Sequence, residues 1–486
     1  MSLTTSASSI RPWFVVAASL LLVRCHGSNP TELPSSGAFG GAGGIGEPAS
    51  TGGLASGGGE SFAGQGGIST GGGEPSPGGA PSEAGSQNSG ASSSGGVPAA
   101  TAGAAGSAGG ANAPGGANAG GVGGTSASGG ELGHAGEPVI AEFMLGVDIS
   151  SVQEAAERGT RYADTDGAQK PILEILKAHG FNYVRLRAFV DPSAPYGYAQ
   201  GTGGTCAKDE PYCDTAHTIE FAKEIKAAGM GFLLDLHYSD TWADPGKQII
   251  PAAWRDVDSI SELATRVSTY TAEVLNALVA AGARPDMVQV GNEITPGLLV
   301  HVPGPTTDCY GNGAVEHALG GSSSDANWDH LATLLKAGIA AVRAVDPAIL
   351  VMLHLENTDD LAGARWWLQA ATSRDVHFDV LGLSCYTAFQ GAPSVWRATF
   401  SALASDYPDL KFTIAEYNPE PAEAAAIMRG LPQRRGLGTF LWEPTLSGAW
   451  GEALFTSSGN VQRANADDFA VFDALQTELG LNQRMP

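Results

Sequence analysis

Two glutamates far apart in the chain each close a short apolar run. Met287-Val288-Gln289-Val290 reads as a buried strand, and it gives way to Gly291-Asn292-Glu293. Residues 410–415 form a second β-like run, which ends in Glu416. One glutamate at a strand end is as well explained by a helix cap or an ordinary loop acid. Two in matching places suit the cleavage of a glycosidic bond. One carboxylic acid protonates the leaving oxygen, and one carboxylate acts on the sugar. Parallel barrels gather reacting side chains at the C-terminal ends of their strands, so such a pair calls for a barrel.

The surrounding pattern supplies one. Strands are expected over residues 143–150, 181–189, 231–237, 287–290, 349–355, 378–384, 410–416 and 437–442. Helices are expected between and after them, over 171–180, 215–228, 260–281, 328–345, 361–371, 396–404, 422–429 and 467–479. In the first, Ile172, Leu173, Ile175 and Leu176 make one apolar face and Gly180 closes it. This alternation predicts an α/β fold, a (β/α)8 TIM barrel over residues 142–486. Asp148 falls near the end of the first strand. Arg185 and Arg187 share one face of the second, because side chains alternate with period two. A buried arginine needs a partner. Both are expected to reach carboxylates inside the barrel, either as structural ion pairs or in service of the site. Asp235 and His237 face the same way on the third strand. Gly201-Thr202-Gly203-Gly204 lacks the Gly-Lys-Ser/Thr ending of a phosphate loop and joins no strand to a helix.

The chain before the barrel is of another kind. Arg11 precedes an apolar run over residues 13–23, too short to span a bilayer and suited to a signal peptide, with Cys25 at its end. Leu22-Val23-Arg24-Cys25 is similar to a bacterial lipoprotein signal, except that Arg24 stands where a small residue is expected. Export is the expectation, with residues 1–25 as signal and either lipidation of Cys25, giving membrane attachment, or plain cleavage nearby. Residues 26–138 hold most of the excess among 68 glycines and not one Lys or Arg. Such a stretch cannot bury enough apolar surface to offset chain entropy and reads as a disordered linker. Cys206 and Cys213 are close enough in a polar loop for a bridge in an oxidising compartment, and Cys385 reads as a free buried thiol. No Cys-x-x-Cys occurs, which argues against structural zinc. A net charge of −24 argues against a nucleic-acid partner and suits a neutral polymer.

The most distinctive segment is Leu234-Asp235-Leu236-His237-Tyr238-Ser239-Asp240-Thr241-Trp242, continuing to Asp244-Pro245-Gly246-Lys247-Gln248. With Gly146-Val147-Asp148, Asn182-Tyr183-Val184-Arg185-Leu186-Arg187, Gly291-Asn292-Glu293 and Leu441-Trp442-Glu443-Pro444, it resembles glycoside hydrolase family 53, the arabinogalactan endo-β-1,4-galactanases. The resemblance covers nearly all of residues 143–444. It implies a retaining hydrolase of plant cell-wall galactan or type I arabinogalactan, secreted or held at the bacterial surface. Glu293 would be the general acid/base and Glu416 the nucleophile. Arg185 would keep Glu416 ionised, and Asn292 would reach the sugar hydroxyl beside the anomeric carbon. Asp148, Arg187, Asp240, His237, His354 and Tyr386 would line the sugar site, and Trp242 and Trp442 would offer flat faces to pyranose rings. The histidines and Tyr386 could instead be satisfied core residues, and Trp254 and Trp396 either extend the groove or pack. No cofactor or metal is expected, and the chain is read as a monomer. Cys385-Tyr386-Thr387 and Tyr417-Asn418-Pro419 depart from the family pattern, and residues 445–465 have no counterpart in it. Another retaining β-glycanase on the same barrel, or a surface carbohydrate-binding protein without turnover, therefore stays open.

Overall fold

The computed structural model describes residues 143–199, 211–303, 314–316 and 320–481. The expected signal segment, the Gly/Ala/Ser-rich stretch over 26–138, Cys25, Cys206 and Cys309 lie outside the described residues. Eight strands form the barrel: β1 Met144–Asp148, β2 Tyr183–Ala188, β3 Gly231–Leu236, β4 Met287–Val290, β5 Leu350–Leu355, β6 Val380–Tyr386, β7 Lys411–Asn418 and β8 Gly436–Trp442. Each pairs in parallel with its neighbours, and β1 closes on β8, so the sheet has no edge. The helices that follow them are α1 Ile172–Ala178, α2 Thr215–Ala227, α3 Ile260–Ala280, α4 Asp325–Val345, α5 Leu361–Thr372, α6 Pro393–Asp406, α7 Pro421–Arg429 and α8 Ala466–Leu479. The (β/α)8 expectation holds.

Helix starts explain where sequence and structure differ. α4 begins three residues before Trp328 because the Ser324 hydroxyl caps it, accepting from the Asn327 amide. α6 begins three residues before Trp396 because Pro393 stands at its first position, where a missing N–H costs nothing. Asp214, Ser259 and Asp360 cap α2, α3 and α5 in the same manner.

The barrel centre is layered. Its lower layer is apolar: Met144, Leu233, Met287, Leu350, Met352, Val380, Ala415, Leu437 and Phe440. Tyr183 meets Phe440 edge to face, with ring centroids 5.8 Å apart. Glycine makes room for both rings. A Cβ on Gly146 would lie 2.4 Å from the Phe440 ring, and one on Gly231 2.0 Å from Tyr183. Burying a side chain of this size contributes about 1.5–3 kcal/mol. Above this plug the inward side chains become polar, and the site stands on it.

Two features were not foreseen. A short helix, Val152–Glu157, and a strand, Arg161–Ala163, follow β1. That strand pairs with Val461–Ala464, which pairs in turn with Phe455–Ser458, a small sheet outside the barrel built largely from the unassigned residues 445–465. Cys385 is a free buried thiol, as expected. Cys213 is also a free buried thiol, so the described structure contains no bridge at that position. Among the described residues no helix is long and apolar enough to cross a membrane.

Candidate active site

Arg185 is the hub. Its side chain, on β2, is fully buried and forms ion pairs with three carboxylates: Asp148 at 2.9 Å, Asp235 at 2.8 Å and Glu416 at 2.9 Å. It also donates to Gln289 Oε1 at 3.2 Å and to Asn292 Oδ1 at 2.8 Å. Burial works against its charge, but Asp235, Glu416 and Asp148 outweigh that and hold its pKa above the usual arginine value. Asp235 shows the converse. Burial would raise it, yet Arg185 and His237 keep it below the usual carboxylate range. These carboxylates sit underneath, as the electrostatic floor of the site, since Asp148 and Asp235 have no exposed surface.

Glu416 reaches this floor through a break in alternation. In β7, Phe412, Ile414 and Tyr417 pack outward against the helices, while Ala415 belongs to the inner plug. Strict alternation would turn Glu416 outward. The ladder to β6 slips between Ile414 and Glu416, and the ladder to β8 between Ile414 and Tyr417. This bulge lets Ala415 and Glu416 both point inward. There Glu416 Oε2 accepts from the Tyr386 hydroxyl at 2.8 Å. Burial pushes its pKa up to about 7, with Arg185 and the Tyr386 hydroxyl pulling it down.

Glu293 lies just past β4 on a sharp turn. Gly291 and Glu293 both have positive φ, +86° and +48°. For a glutamate this conformation is uncommon and is held in place from outside. The Gln248 side-chain amide donates to the carbonyls of Asn292 at 2.8 Å and Glu293 at 3.2 Å, and the Ile294 amide donates to His354 O at 2.9 Å. Glu293 Oε1 is 2.7 Å from the Ser384 hydroxyl. Burial, then the charges of Glu416 and Glu356, push its pKa well above the usual value. Both carboxyls are thus pushed toward their neutral form, and only Glu416 has the Arg185 guanidinium beside it to oppose that push.

One strand holds both glutamates. Ser384 and Tyr386 are two residues apart on β6, one bound to each glutamate. They share a face, and residues so spaced are about 6.6 Å apart along a strand. Two carboxyls tied to neighbouring side chains on one face of a strand open onto a common space, where they can address the two sides of a single bond. His354 Nε2 is 3.0 Å from Ser384 Oγ, and its Nδ1 is 2.9 Å from Asn292 Oδ1. His237 accepts the Ala243 amide at Nδ1, 2.9 Å away, so Nε2 carries hydrogen and faces Asp235 at 3.0 Å. Asn292 commits one amide hydrogen to Ala243 O at 2.9 Å.

The aromatic wall is larger than the sequence indicates. Trp242 and Trp442 approach with centroids 5.8 Å apart, and Tyr386 and Trp450 complete the cluster. Trp450 comes from the unassigned stretch after β8. Arg187 lies over Trp242, 3.9 Å from its centroid, and its ion pair at 2.7 Å goes to Glu443 rather than to either candidate glutamate. Asp240, expected at the substrate, is committed elsewhere. Its carboxylate accepts from the Asp191 amide at 3.0 Å and the Ala252 amide at 2.7 Å, pinning two loops. Trp254 packs on Tyr270, and Trp396 donates to Gln390 O at 3.0 Å, so both are core residues. Ser384, Gln289, Glu356, Glu443 and Trp450 were missed. Ser384 stood two residues before Tyr386, and period two could have found it. Among the described residues no three His, Cys, Asp or Glu side chains converge as a cation site.

Comparison with known proteins gives a consistent result. The family model for glycosyl hydrolase family 53 matches residues 144–424. An uncharacterized protein of Niallia circulans is 38% identical over 268 residues, 54% of this chain and 64% of its own length. An arabinogalactan endo-β-1,4-galactanase of Thermothelomyces thermophilus is 34% identical over 275 residues, 55% of this chain and 70% of its own. Among known structures, the family 53 catalytic domain of Ignisphaera aggregans superposes with a TM-score of 0.57 at 29% identity, covering 68% of this chain and 95% of that domain.

Proposed function

The chain belongs to glycosyl hydrolase family 53, and from that premise we propose that it is an endo-acting β-1,4-galactanase that cleaves galactan or type I arabinogalactan with retention of configuration. The observation that supports this reading is the unequal pair of glutamates held by Ser384 and Tyr386 of β6. Glu416 is held by Arg185 and Tyr386, both of which favour its charged form. Glu293 is held among acids that favour its neutral form.

In the first step Glu416 attacks the anomeric carbon and forms an ester bond to it. The bond to the O4 leaving oxygen breaks, and that oxygen takes the proton of Glu293. In the second step Glu293 removes a proton from water, which attacks the anomeric carbon and releases Glu416. Trp242, Trp442 and Trp450 supply apolar faces for the rings, and Asn292 would reach the hydroxyl next to the reacting carbon. A retaining site separates its carboxyl groups by about 5–5.5 Å, an inverting one by about 6.5–9.5 Å. The apolar run before Cys25 supports export, with the cleaved or lipidated enzyme acting on polymer outside the cell.

Incubation of the protein with unbranched galactan, xylan, mannan and cellulose tests the reading. Short galacto-oligosaccharides, first released as a spread of lengths with β-anomers in excess, are expected from galactan alone. Faster release from another polymer would reassign the substrate. Binding to galactan without any release would make the chain a carbohydrate-binding protein.

A further inference from the structure

Ser384 has one hydrogen and two partners that compete for it: Glu293 Oε1 at 2.7 Å and His354 Nε2 at 3.0 Å. The rest of the network decides which partner receives it. Asn292 Oδ1 lies 2.8 Å from Arg185 NH2, and a guanidinium only donates, so that atom is the amide oxygen. Gln289 is fixed likewise, since its Oε1 accepts from Arg185 Nε at 3.2 Å. Its two amide hydrogens go to Asn292 Oδ1 at 2.9 Å and to Gly291 O at 3.1 Å. The same nitrogen lies 3.3 Å from His354 Nδ1, but its two hydrogens are taken by these nearer acceptors. His354 Nδ1, 2.9 Å from an oxygen, must therefore carry hydrogen.

His354 is fully buried. Burial, and then the charge of Arg185, push its pKa well below the usual histidine value, with Asp235 opposing and His237 adding to the shift. The ring is neutral, and with hydrogen on Nδ1 its Nε2 is a bare acceptor. The Ser384 hydroxyl fills it. Ser384 Oγ then has only lone pairs to turn toward Glu293, and two bare oxygens do not approach to 2.7 Å.

We propose that Ser384 and His354 are positioning residues that hold a proton on Glu293 Oε1, so that the chain Glu293–Ser384–His354–Asn292 keeps Glu293 as the acid. This rests on the reading of Glu293 as general acid/base. The hydrogen turns about its C–O bond from Ser384 to the leaving oxygen when substrate arrives. Once Glu293 has given it up, the Ser384 hydroxyl must swing to the new carboxylate, and His354 Nε2 loses its donor. The ionised state is thus the less satisfied one, and the return of the proton from water restores the chain. Glu416, Glu356 and Asp244 also face Glu293 and act in the same direction.

Ser384→Ala distinguishes the two directions of the hydrogen bond by sign. If Ser384 accepts from Glu293, its loss removes support from the neutral form, and the alkaline limb of the kcat/KM profile moves down by about one pH unit, the worth of one neutral hydrogen bond. If Ser384 donates to an ionised Glu293, the limb moves up. An upward move, or none, overturns the proposal. Ser384→Thr keeps the hydroxyl and should restore the wild-type limb. Infrared difference spectra of the wild-type protein against Glu293→Gln provide a readout independent of turnover. A protonated carboxyl band at neutral pH supports the chain, and a carboxylate band there refutes it. Full activity of Glu293→Gln on galactan would instead sink the acid/base reading itself.

Discussion

Tyr386→Phe isolates what keeps Glu416 charged. The phenol donates to Glu416 Oε2 at 2.8 Å, and the two side chains are 6% and 4% exposed, so water does not replace the lost donor readily. A hydrogen bond to a charged group contributes about 1.5–3 kcal/mol. One pKa unit corresponds to about 1.4 kcal/mol, so the carboxyl should shift by about one to two units. The donor favours the charged form, and its removal therefore raises the pKa above its starting point of about 7. The nucleophile must be ionised, so the acid limb of kcat/KM should move to higher pH by the same amount. Below that limb the variant should be slower than wild type by roughly 10- to 100-fold, with a smaller loss above it. Initial rates of reducing-sugar release from galactan at low concentration, taken across pH, measure this, with a thermal melt to confirm folding. A uniform loss with an unmoved limb would refute the reasoning, because Tyr386 would then be acting on the sugar and not on Glu416.

Burial raises the pKa of Glu356 to about 7 from an ordinary 4.5. The folded protein keeps a proton that the unfolded chain releases, so this group destabilises increasingly as pH rises from about 4.5 through 7, by up to roughly 3 kcal/mol. Glu356→Gln should raise Tm at pH 8 and leave it unchanged at pH 4; an equal gain at both values would exclude titration as the cause. With azide and an activated aryl galactobioside, Glu293→Ala should yield the β-galactobiosyl azide and Glu416→Ala the α-product, read from the anomeric proton coupling; the reverse outcome would exchange the two roles. Deleting residues 26–138, which carry neither Lys nor Arg and little that could form a core, should leave kcat on soluble galactan within about twofold. A large loss with the barrel still folded would give that stretch a part in catalysis.

The barrel was legible because its two periods are strong. Apolar runs of strand length alternate with longer runs such as Ile172, Leu173, Ile175 and Leu176, whose spacing is helical. Both glutamates were legible because each closes such a run. The small sheet was not, since its strand of three residues, Arg161–Ala163, has too few positions to show a period. Asp240 misled for a physical reason. An aspartate near a distinctive motif has the same chemistry whether it meets a sugar or two backbone amides, and only the fold brings the Asp191 and Ala252 amides to it. Arg187 was left open between an ion pair and a site role; the structure shows the ion pair, a 2.7 Å contact with Glu443, and places the guanidinium over Trp242.

The bulge at Ala415 is the deeper case, because there the sequence pattern and the chemistry conflict. With strict alternation after Ile414, an inward Ala415 requires an outward Glu416, on the apolar face that Phe412 and Ile414 pack against the helices. The polar floor offers Arg185 at 2.9 Å and the Tyr386 hydroxyl at 2.8 Å. An unpaired buried carboxylate costs several kcal/mol, whereas one disrupted ladder step costs about one hydrogen bond. The carboxylate therefore prevails, and β7 slips by one residue against both neighbours. The slip also sets the register of the site: Glu416 comes to lie opposite Ser384, the residue that holds Glu293. The energetic demand of one buried charge thus brings the second glutamate level with the first.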